Sequence, residues 1–405
     1  MLDLISRIRV SFIFLTAFVT YQFFNFFYFP DNIIFGDEGR FIDEAIILYQ
    51  SGEFVTFGSS RAWEMPLTAI IYSLILTFVG NEDYLILAVR FFQSLLLLIQ
   101  GLLIKQISLE IFKNELSSKL ALLIFLFYPF FIFYQGLLLS ENLFITFLLL
   151  SFYFLYKWGK HEQFLNKNFF ITLICFSLAI YTKATISFLP IILMAVYSLF
   201  RSRNFIKSAQ VLISSFVFLS ILISPWWIRN YLIFDSFVPF TTTSGKNMYL
   251  GNNLKNKTGG NDQRIDWDIK FSESVSQLTE LERQSKYKNE AINFMITEPQ
   301  RAIELAFLKL KRFYSFTPNA PEYGKGIYFW ASLLTYSPIF ILSIGSILFY
   351  RFKLSELVPV YALILYFTFI HMIFIASLRY RLPLEPFFIV LAAQSMILLK
   401  SRFTN

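Results

Sequence analysis

The chain has 405 residues, of which 56% are hydrophobic, 20% aromatic and only 15% charged, with a mean hydropathy of +0.57. Soluble domains carry about 25% charge, so a water-soluble globular protein is excluded, and apolar runs of about 17–25 residues recur at the length that crosses about 30 Å of hydrocarbon. The net charge of +8 forms no basic stripe with interleaved aromatics, which argues against nucleic-acid binding and for cationic helix ends facing the cytoplasm.

Arg7 and Arg9 precede an apolar stretch, as in a signal peptide, but no small-residue cleavage site follows. The pattern predicts an uncleaved first span at about 10–29. An acidic segment, 30–65, comes next, with Asp31, Asp37, Glu38, Asp43, Glu44, Glu53 and Glu64 against only Arg40 and Arg61. Acids at the mouth of a membrane protein are costly unless water, a partner charge or a reaction uses them. Asp37-Glu38, just beyond the first span, is therefore the leading candidate for chemistry. The stretch FIDEAIILYQSG reads as an amphipathic helix ending at Gly52, with Asp43 and Glu44 on its wet face.

Pro66 to Gly80 is apolar but only 15 residues long, too short to be assigned by length alone. Clear spans follow at about 84–104, 118–135, 142–157, 169–182, 184–200, 207–227, 327–349, 356–377 and 384–399. Loop charge settles the first ambiguity. If 66–80 lies on the outer interface, Arg7, Arg9, Lys105, Lys113, Lys119, Lys157, Lys160, Lys167, Arg201, Arg203, Lys207, Arg351, Lys353, Lys400 and Arg402 share the cytoplasmic side. The expectation is an all-α polytopic bundle of ten spans with both termini cytoplasmic. It divides into a membrane module 1–227, with the loop 30–65 and the interfacial helix 66–80, an exterior cap 228–325, and C-terminal helices 326–405. Within the cap, GKNMYLGNNLKNKTGGND reads as loop. A helical pattern follows from Leu278 to Phe313, interrupted near Pro299.

Four bases break the charge rule at short exterior junctions: Lys183 in YTKAT, Arg229 in SPWWIRNY, and Arg379 with Arg381 in SLRYRLPLEP. Snorkelling toward headgroups is the plain alternative. Facing an acidic cluster, however, they suit an anionic headgroup at the outer leaflet, because arginine forks match phosphate oxygens and lysine adds a point charge. A carboxylate opposite could deprotonate an acceptor hydroxyl. Glu141, in LLLSENLF, is either a carboxylate favoured by a helix N-terminus with Ser140 as cap, or a site acid that orients Lys183 or the acceptor. Cys175 stands alone, and His161 and His371 are far apart. Neither a disulfide nor a Cys- or His-based metal site is expected. No cofactor is called for; a divalent cation at the acid cluster is compatible but not indicated.

The order of motifs resembles a family: an exterior Asp-Glu pair, the Pro-led EMPLTAIIYSLI, SENLF opening a span, PWWIRNYLIF before a loop with MYLGNN, and RYRLPLEPF near the C-terminus. This is similar to the GT-C superfamily of polyprenyl-phosphate-sugar glycosyltransferases, especially bacterial members related to protein mannosyltransferases and the lipid A aminoarabinose transferase. The resemblance implies an inverting hexosyl or pentosyl transfer at the outer face of the plasma membrane. The partners would be a polyprenyl-phosphate-linked sugar donor, a glycan, lipid or protein acceptor, and the bilayer. It implies Asp37 as base with Glu38 beside it, Glu141 as the second exterior acid and Arg379 with Arg381 near the lipid phosphate; the residues themselves add Glu64 as an acceptor-side acid and Lys183 and Arg229 as further phosphate-binding candidates. Relatives often carry a His-Pro-Pro-like run where this chain has Trp63-Glu64-Met65-Pro66, so acceptor identity does not transfer. A transporter or flippase of a lipid-linked or anionic solute, a non-catalytic assembly subunit and an O-antigen-ligase-like enzyme are the rival readings. The absence of paired broken helices in matching halves weighs against the first.

Overall fold

The computed structural model describes residues 2–29, 33–161, 163–262, 265–320, 323–349 and 354–403. Asp31, Arg351 and Lys353 lie outside the described residues. Among the described residues the regular secondary structure is helical apart from one isolated bridge, Thr56–Ser60. In chain order the helices are α1 (Leu2–Arg7), α2 (Val10–Tyr28), α3 (Gly36–Ser51), α4 (Leu67–Val79), α5 (Leu85–Phe112), α6 (Glu115–Leu126), α7 (Pro129–Gln135), α8 (Glu141–Trp158), α9 (Lys167–Thr182) and α10 (Leu189–Ser202). They continue with α11 (Phe205–Phe234), α12 (Ser244–Gly251), α13 (Ile269–Ser274), α14 (Glu280–Thr297), α15 (Pro299–Phe313), α16 (Gly326–Phe349), α17 (Leu354–Ile373), α18 (Leu378–Arg381) and α19 (Glu385–Phe403).

Seven of the described helices are long and apolar enough to cross a membrane. The bent pair α6–α7 makes an eighth span if counted as one. The expected span 118–135 is broken by 51° between its two pieces, because Pro129 opens α7 and cannot continue the preceding hydrogen-bond ladder. The expected 169–182 span is α9, only 16 residues long. α8 has 18 residues but carries Glu141 and Lys157 at its ends. Ten crossings remain compatible with this arrangement, several of them shorter than a full bilayer helix.

Side-chain contacts sort the charged loops onto two ends of the bundle. At one end Glu110 pairs with both Lys113 (3.0 Å) and Lys160, Lys105 meets Glu115, Lys119 donates to the Ser6 carbonyl, and Arg201 bridges Gly159 and Glu356. At the other end lie α3, α4 and the cap. Gln50 donates to Glu82 (2.7 Å), tying the end of α3 to the turn after α4, and Tyr72 in the middle of α4 donates to the Leu139 carbonyl (3.1 Å). α3 stops at Gly52, which takes the left-handed conformation (φ 72°) that glycine adopts without strain.

Two expectations are corrected in this region. Glu44 does not lie on a wet face: it is 1% exposed and accepts a hydrogen bond from Thr56 Oγ1 (2.6 Å), while Asp43 is exposed. The first part of the Gly/Asn-rich stretch is helical, as α12, because Tyr249 packs against Phe271 and Tyr287 under the cap. The break between α14 and α15 falls at Pro299 as expected.

The segment 136–140 between α7 and α8 is not helical, and because it is buried its backbone must find partners inside the protein. Arg90 Nε donates to the Gly136 carbonyl (2.9 Å), Gln93 to Leu137 (2.8 Å) and Tyr72 to Leu139. Asn25, Ser94 and Gln135 form a buried triad beside it. Asn142 on α8 donates to Gln93 (2.7 Å). This polar seam fixes where α8 begins, and therefore where Glu141 sits.

Candidate active site

Asp37 and Glu38 occupy the first turn of α3, where the exposed amide ends favour carboxylates. Being adjacent on a helix, they point about 100° apart, and their surroundings differ accordingly. Glu38 is fully buried. Its Oε1 accepts from the amides of Ile34 and Phe35 and its Oε2 from Leu138, all at 2.9 Å. It ties α3 to the 136–140 segment, and its acceptor positions are used in doing so. Asp37 keeps 39% of its side chain exposed.

Asp37 is the centre of a chain of ion pairs. Its Oδ1 lies 3.1 Å from Arg40 Nη1, and Arg40 Nη2 reaches Glu64 (3.2 Å). Its Oδ2 lies 2.5 Å from Arg379 Nη1. Arg379 turns its Nε and Nη2 to the two oxygens of Glu141, and Lys183 closes on Glu141 Oε1 at 2.7 Å. Burial pushes the Asp37 carboxyl up, but the charges of Arg379 and Arg40 outweigh it and hold the group below the ordinary aspartate range. Asp37 is thus ionised at neutral pH. Glu141 is 2% exposed, and Ser140 makes no side-chain cap. Its partners are the two bases.

The cap and C-terminal helices set Arg379 in place. Lys309 donates to Asn252 (2.8 Å) and to the Ile373 carbonyl (3.0 Å), and Arg312 to the Ala376 carbonyl (3.1 Å). These bonds hold the link between α17 and α18. Behind Arg379 a stack runs from Phe313 through His371 to Tyr380, with ring centres 5.1 Å apart at each step. Lys183 lies 5.9 Å from the Tyr380 ring centre.

The site therefore gathers Asp37, Glu64, Glu141, Arg379 and Lys183 of the sequence candidates. Three others stand elsewhere. Glu38 is absorbed by backbone amides. Arg381 is fully buried: it pairs with Glu385 (2.8 Å), donates to the carbonyls of Phe313 (3.2 Å) and Ser315 (2.6 Å), and lies 3.4 Å from the Tyr336 ring centre. Arg229 donates to the carbonyls of Arg61 (2.5 Å) and Phe54 (3.2 Å) and packs on Trp226. Arg40 went unrecognised in the sequence. Its signal was its place three residues after Asp37, which puts both on one helical face. Among the described residues no group of three or more His, Cys, Asp or Glu side chains is placed to hold a metal ion. The network offers an ionised, solvent-reached carboxylate between two guanidiniums, a combination suited to proton acceptance beside a bound anion.

Comparison with known proteins agrees with this fold. Residues 63–228 match the family described as dolichyl-phosphate-mannose-protein mannosyltransferase. No curated protein matches significantly. Among solved structures, the archaeal oligosaccharyltransferase AglB from Archaeoglobus fulgidus, in complex with an inhibitory peptide and a dolichol-phosphate, superposes with a TM-score of 0.55 at 13% identity. The match covers 96% of this chain and 50% of that one, so the chain spans half the length of AglB. The same oligosaccharyltransferase tethered to an acceptor peptide gives 0.53 at 12% identity over 96% and 49%. ArnT from Cupriavidus metallidurans bound to undecaprenyl phosphate gives 0.47 at 14% identity over 90% and 76%. The chain thus has the helical fold of the oligosaccharyltransferase structures, and its residues 63–228 match the dolichyl-phosphate-mannose-protein mannosyltransferase family.

Proposed function

We propose that this protein transfers a hexose or pentose from a polyprenyl-phosphate donor to an acceptor hydroxyl, with inversion, at the outer face of the plasma membrane. Both termini are then cytoplasmic, and the acceptor is a glycan, lipid or protein. The observation that carries this reading is Asp37: a water-reached carboxylate held between Arg40 and Arg379, with Arg379 and Lys183 joined through Glu141. The acceptor oxygen attacks the anomeric carbon and forms the new glycosidic bond. The bond from that carbon to the phosphate oxygen breaks, and the electron pair leaves with the lipid phosphate. Asp37 takes the acceptor proton as the hydroxyl becomes acidic in the transition state. Arg379 and Lys183 neutralise the leaving phosphate, with the guanidinium fork supplying directional bonds and the ammonium a point charge. Glu141 keeps both bases ionised and aimed, and Glu64 does the same for Arg40. No step in this scheme requires a metal ion, since the two bases supply the positive charge.

The test uses the full chain in nanodiscs with a panel of polyprenyl-phosphate hexoses and pentoses and envelope membranes as acceptor source. Acceptor-dependent release of free polyprenyl phosphate is the readout. Asp37→Asn keeps the shape and most hydrogen bonds but cannot take a proton, so turnover should fall by about a hundredfold or more with little change in unfolding temperature. Glu38→Gln should lower stability instead, leaving the folded fraction close to wild-type turnover. Near-wild-type turnover of Asp37→Asn would sink the proposal.

A further inference from the structure

Beside the ion-pair chain lies a second constellation that the transfer chemistry does not use. α12 places Lys246 Nζ against two indoles, 5.3 Å from the Trp63 ring centre and 5.0 Å from that of Trp267. Trp63 meets the exposed Phe57 edge-on at 5.4 Å, and the Phe57 ring lies 5.9 Å from the Arg40 guanidinium. Residue 63 is followed directly by Glu64, the carboxylate partner of Arg40. The aromatic wall is thus continuous with the Asp37 network.

Buried hydrogen bonds hold this wall in register. Glu280, at the start of α14, accepts from the amides of Arg61 (2.6 Å) and Ala62 (3.0 Å) and from Thr242 Oγ1 (2.5 Å), and the Thr242 amide donates to the Ala62 carbonyl (2.8 Å). The loop entering Trp63 and the residues leading into α12 are fixed to one another by these bonds. On the other side Asp266 accepts from the amides of Lys257, Thr258 and Asp262 and from Thr258 Oγ1, which closes the loop that carries Trp267.

The charge here is unbalanced. Arg40, Arg379 and Lys183 each hold a carboxylate. Among the described residues neither Lys246 nor Arg283 has one, and Lys246 Nζ has no hydrogen-bond acceptor. Burial, then the neighbouring guanidiniums of Arg283 and Arg40, push the Lys246 ammonium below its ordinary range. Aromatic faces attract an ammonium without using its N–H bonds, so its three donors remain for a ligand. A half-buried cation crowded by two others is stabilised by an arriving anion.

We infer that Lys246 binds an anionic group, a carboxylate or a phosphate, on the acceptor saccharide, whose ring packs on the wall of Trp63, Trp267 and Phe57. This rests on the transfer-site reading in one respect, the assignment of flanks. Asp37 meets Arg379 through one oxygen and Arg40 through the other. The Arg379–Lys183 flank takes the donor phosphate, and the Arg40–Glu64–Trp63 flank is left for the acceptor. A saccharide fits the wall because its C–H faces are apolar while its hydroxyls and anionic group are not.

The test is a ligand-binding titration of the full chain in zwitterionic nanodiscs by saturation-transfer NMR. The probes are methyl glucuronide, glucose 6-phosphate, methyl glucoside and inorganic phosphate. One charge-assisted contact predicts that at least one anionic sugar binds about tenfold or more tightly than the neutral glucoside. The comparison of glucuronide with sugar phosphate identifies the anion. Lys246→Gln should abolish the preference, Lys246→Arg should retain most of it, and Trp63→Ala should weaken the sugars but not inorganic phosphate. Equal binding of charged and neutral sugars, no binding of any probe, or a preference that survives Lys246→Gln overturns the inference. So does inorganic phosphate binding as well as sugar phosphate in both wild type and Trp63→Ala, which would leave an anion site without a saccharide. Asp37→Asn should keep the preference, so failure here and failure of the transfer reading are separately visible.

Discussion

Replacing Arg379 by lysine tests the hub of the site. Arg379 donates to Asp37 through Nη1 (2.5 Å) and to Glu141 through Nε and Nη2. A single ammonium cannot span both carboxylates in that fork geometry. Because Glu141 is buried and Asp37 is partly exposed, the new lysine will stay with Glu141 and release Asp37. Bonds to charged groups are worth about 1.5–3 kcal/mol each. Losing one that forms on the leaving phosphate slows the chemical step by about tenfold to a hundredfold. A second effect has a definite sign. Arg379 is the stronger of the two charges that hold the Asp37 carboxyl down, so Arg379→Lys raises that group toward its ordinary value. The acid limb of the kcat/KM profile then moves to higher pH. The assay is a donor-concentration series at several pH values. If Arg379→Lys matches wild type in KM and kcat with an unmoved acid limb, Arg379 neither binds the donor nor tunes Asp37.

Two further predictions separate structural from catalytic charges. Burial raises the Glu44 carboxyl from 4.5 to about 7. Above the ordinary value the unfolded chain releases a proton that the folded protein retains, so stability falls as pH rises from about 4.5 to about 7, by roughly 3 kcal/mol in total. Unfolding temperatures across pH 5–8 should decline less steeply for Glu44→Gln than for wild type; parallel curves refute this. Arg381→Met leaves Glu385 buried without its partner and should cost about 3–5 kcal/mol, whereas Arg381→Met with Glu385→Leu should recover most of it. The double variant should bind donor with wild-type KM, and a tenfold rise would return Arg381 to the phosphate site.

The sequence made the membrane class and the α14–α15 break at Pro299 legible, because each rests on local composition. The pairing of Glu141 with Lys183 was readable as one of two alternatives, since both stood at the same end of neighbouring spans. What remained hidden depended on direction. Arg379 and Arg381 are two residues apart in α18 and looked alike as sequence, yet one faces Asp37 and the other Glu385. Asp37 and Glu38 divide in the same way, one outward and one into the 136–140 break. Glu44 seemed solvated because it follows Asp43 on an amphipathic helix; only the return of the chain through Thr56 covers it. Helical phase relative to a distant partner is a tertiary property, and single-sequence periodicity does not contain it.

If the proposed transfer holds, the charge balance of the site has a mechanistic consequence. Asp37, Glu64 and Glu141 are matched by Arg40, Arg379 and Lys183, so the described network is close to neutral before substrate arrives. A donor phosphate adds negative charge on the Arg379–Lys183 flank and competes for the same guanidinium. Glu141 is buried and grips Arg379 by two nitrogens, whereas Asp37 is half-exposed and holds it by one. The contact exchanged for phosphate is therefore the one to Asp37. As Arg379 turns away, and as the phosphate charge approaches, Asp37 loses the main influence that keeps it a weak base. Its basicity rises only when the donor is in place, and Arg40 keeps it aimed toward the acceptor flank meanwhile. In the proposed transfer the Asp37–Arg379 contact would guard the base before the donor arrives, and donor binding would arm it.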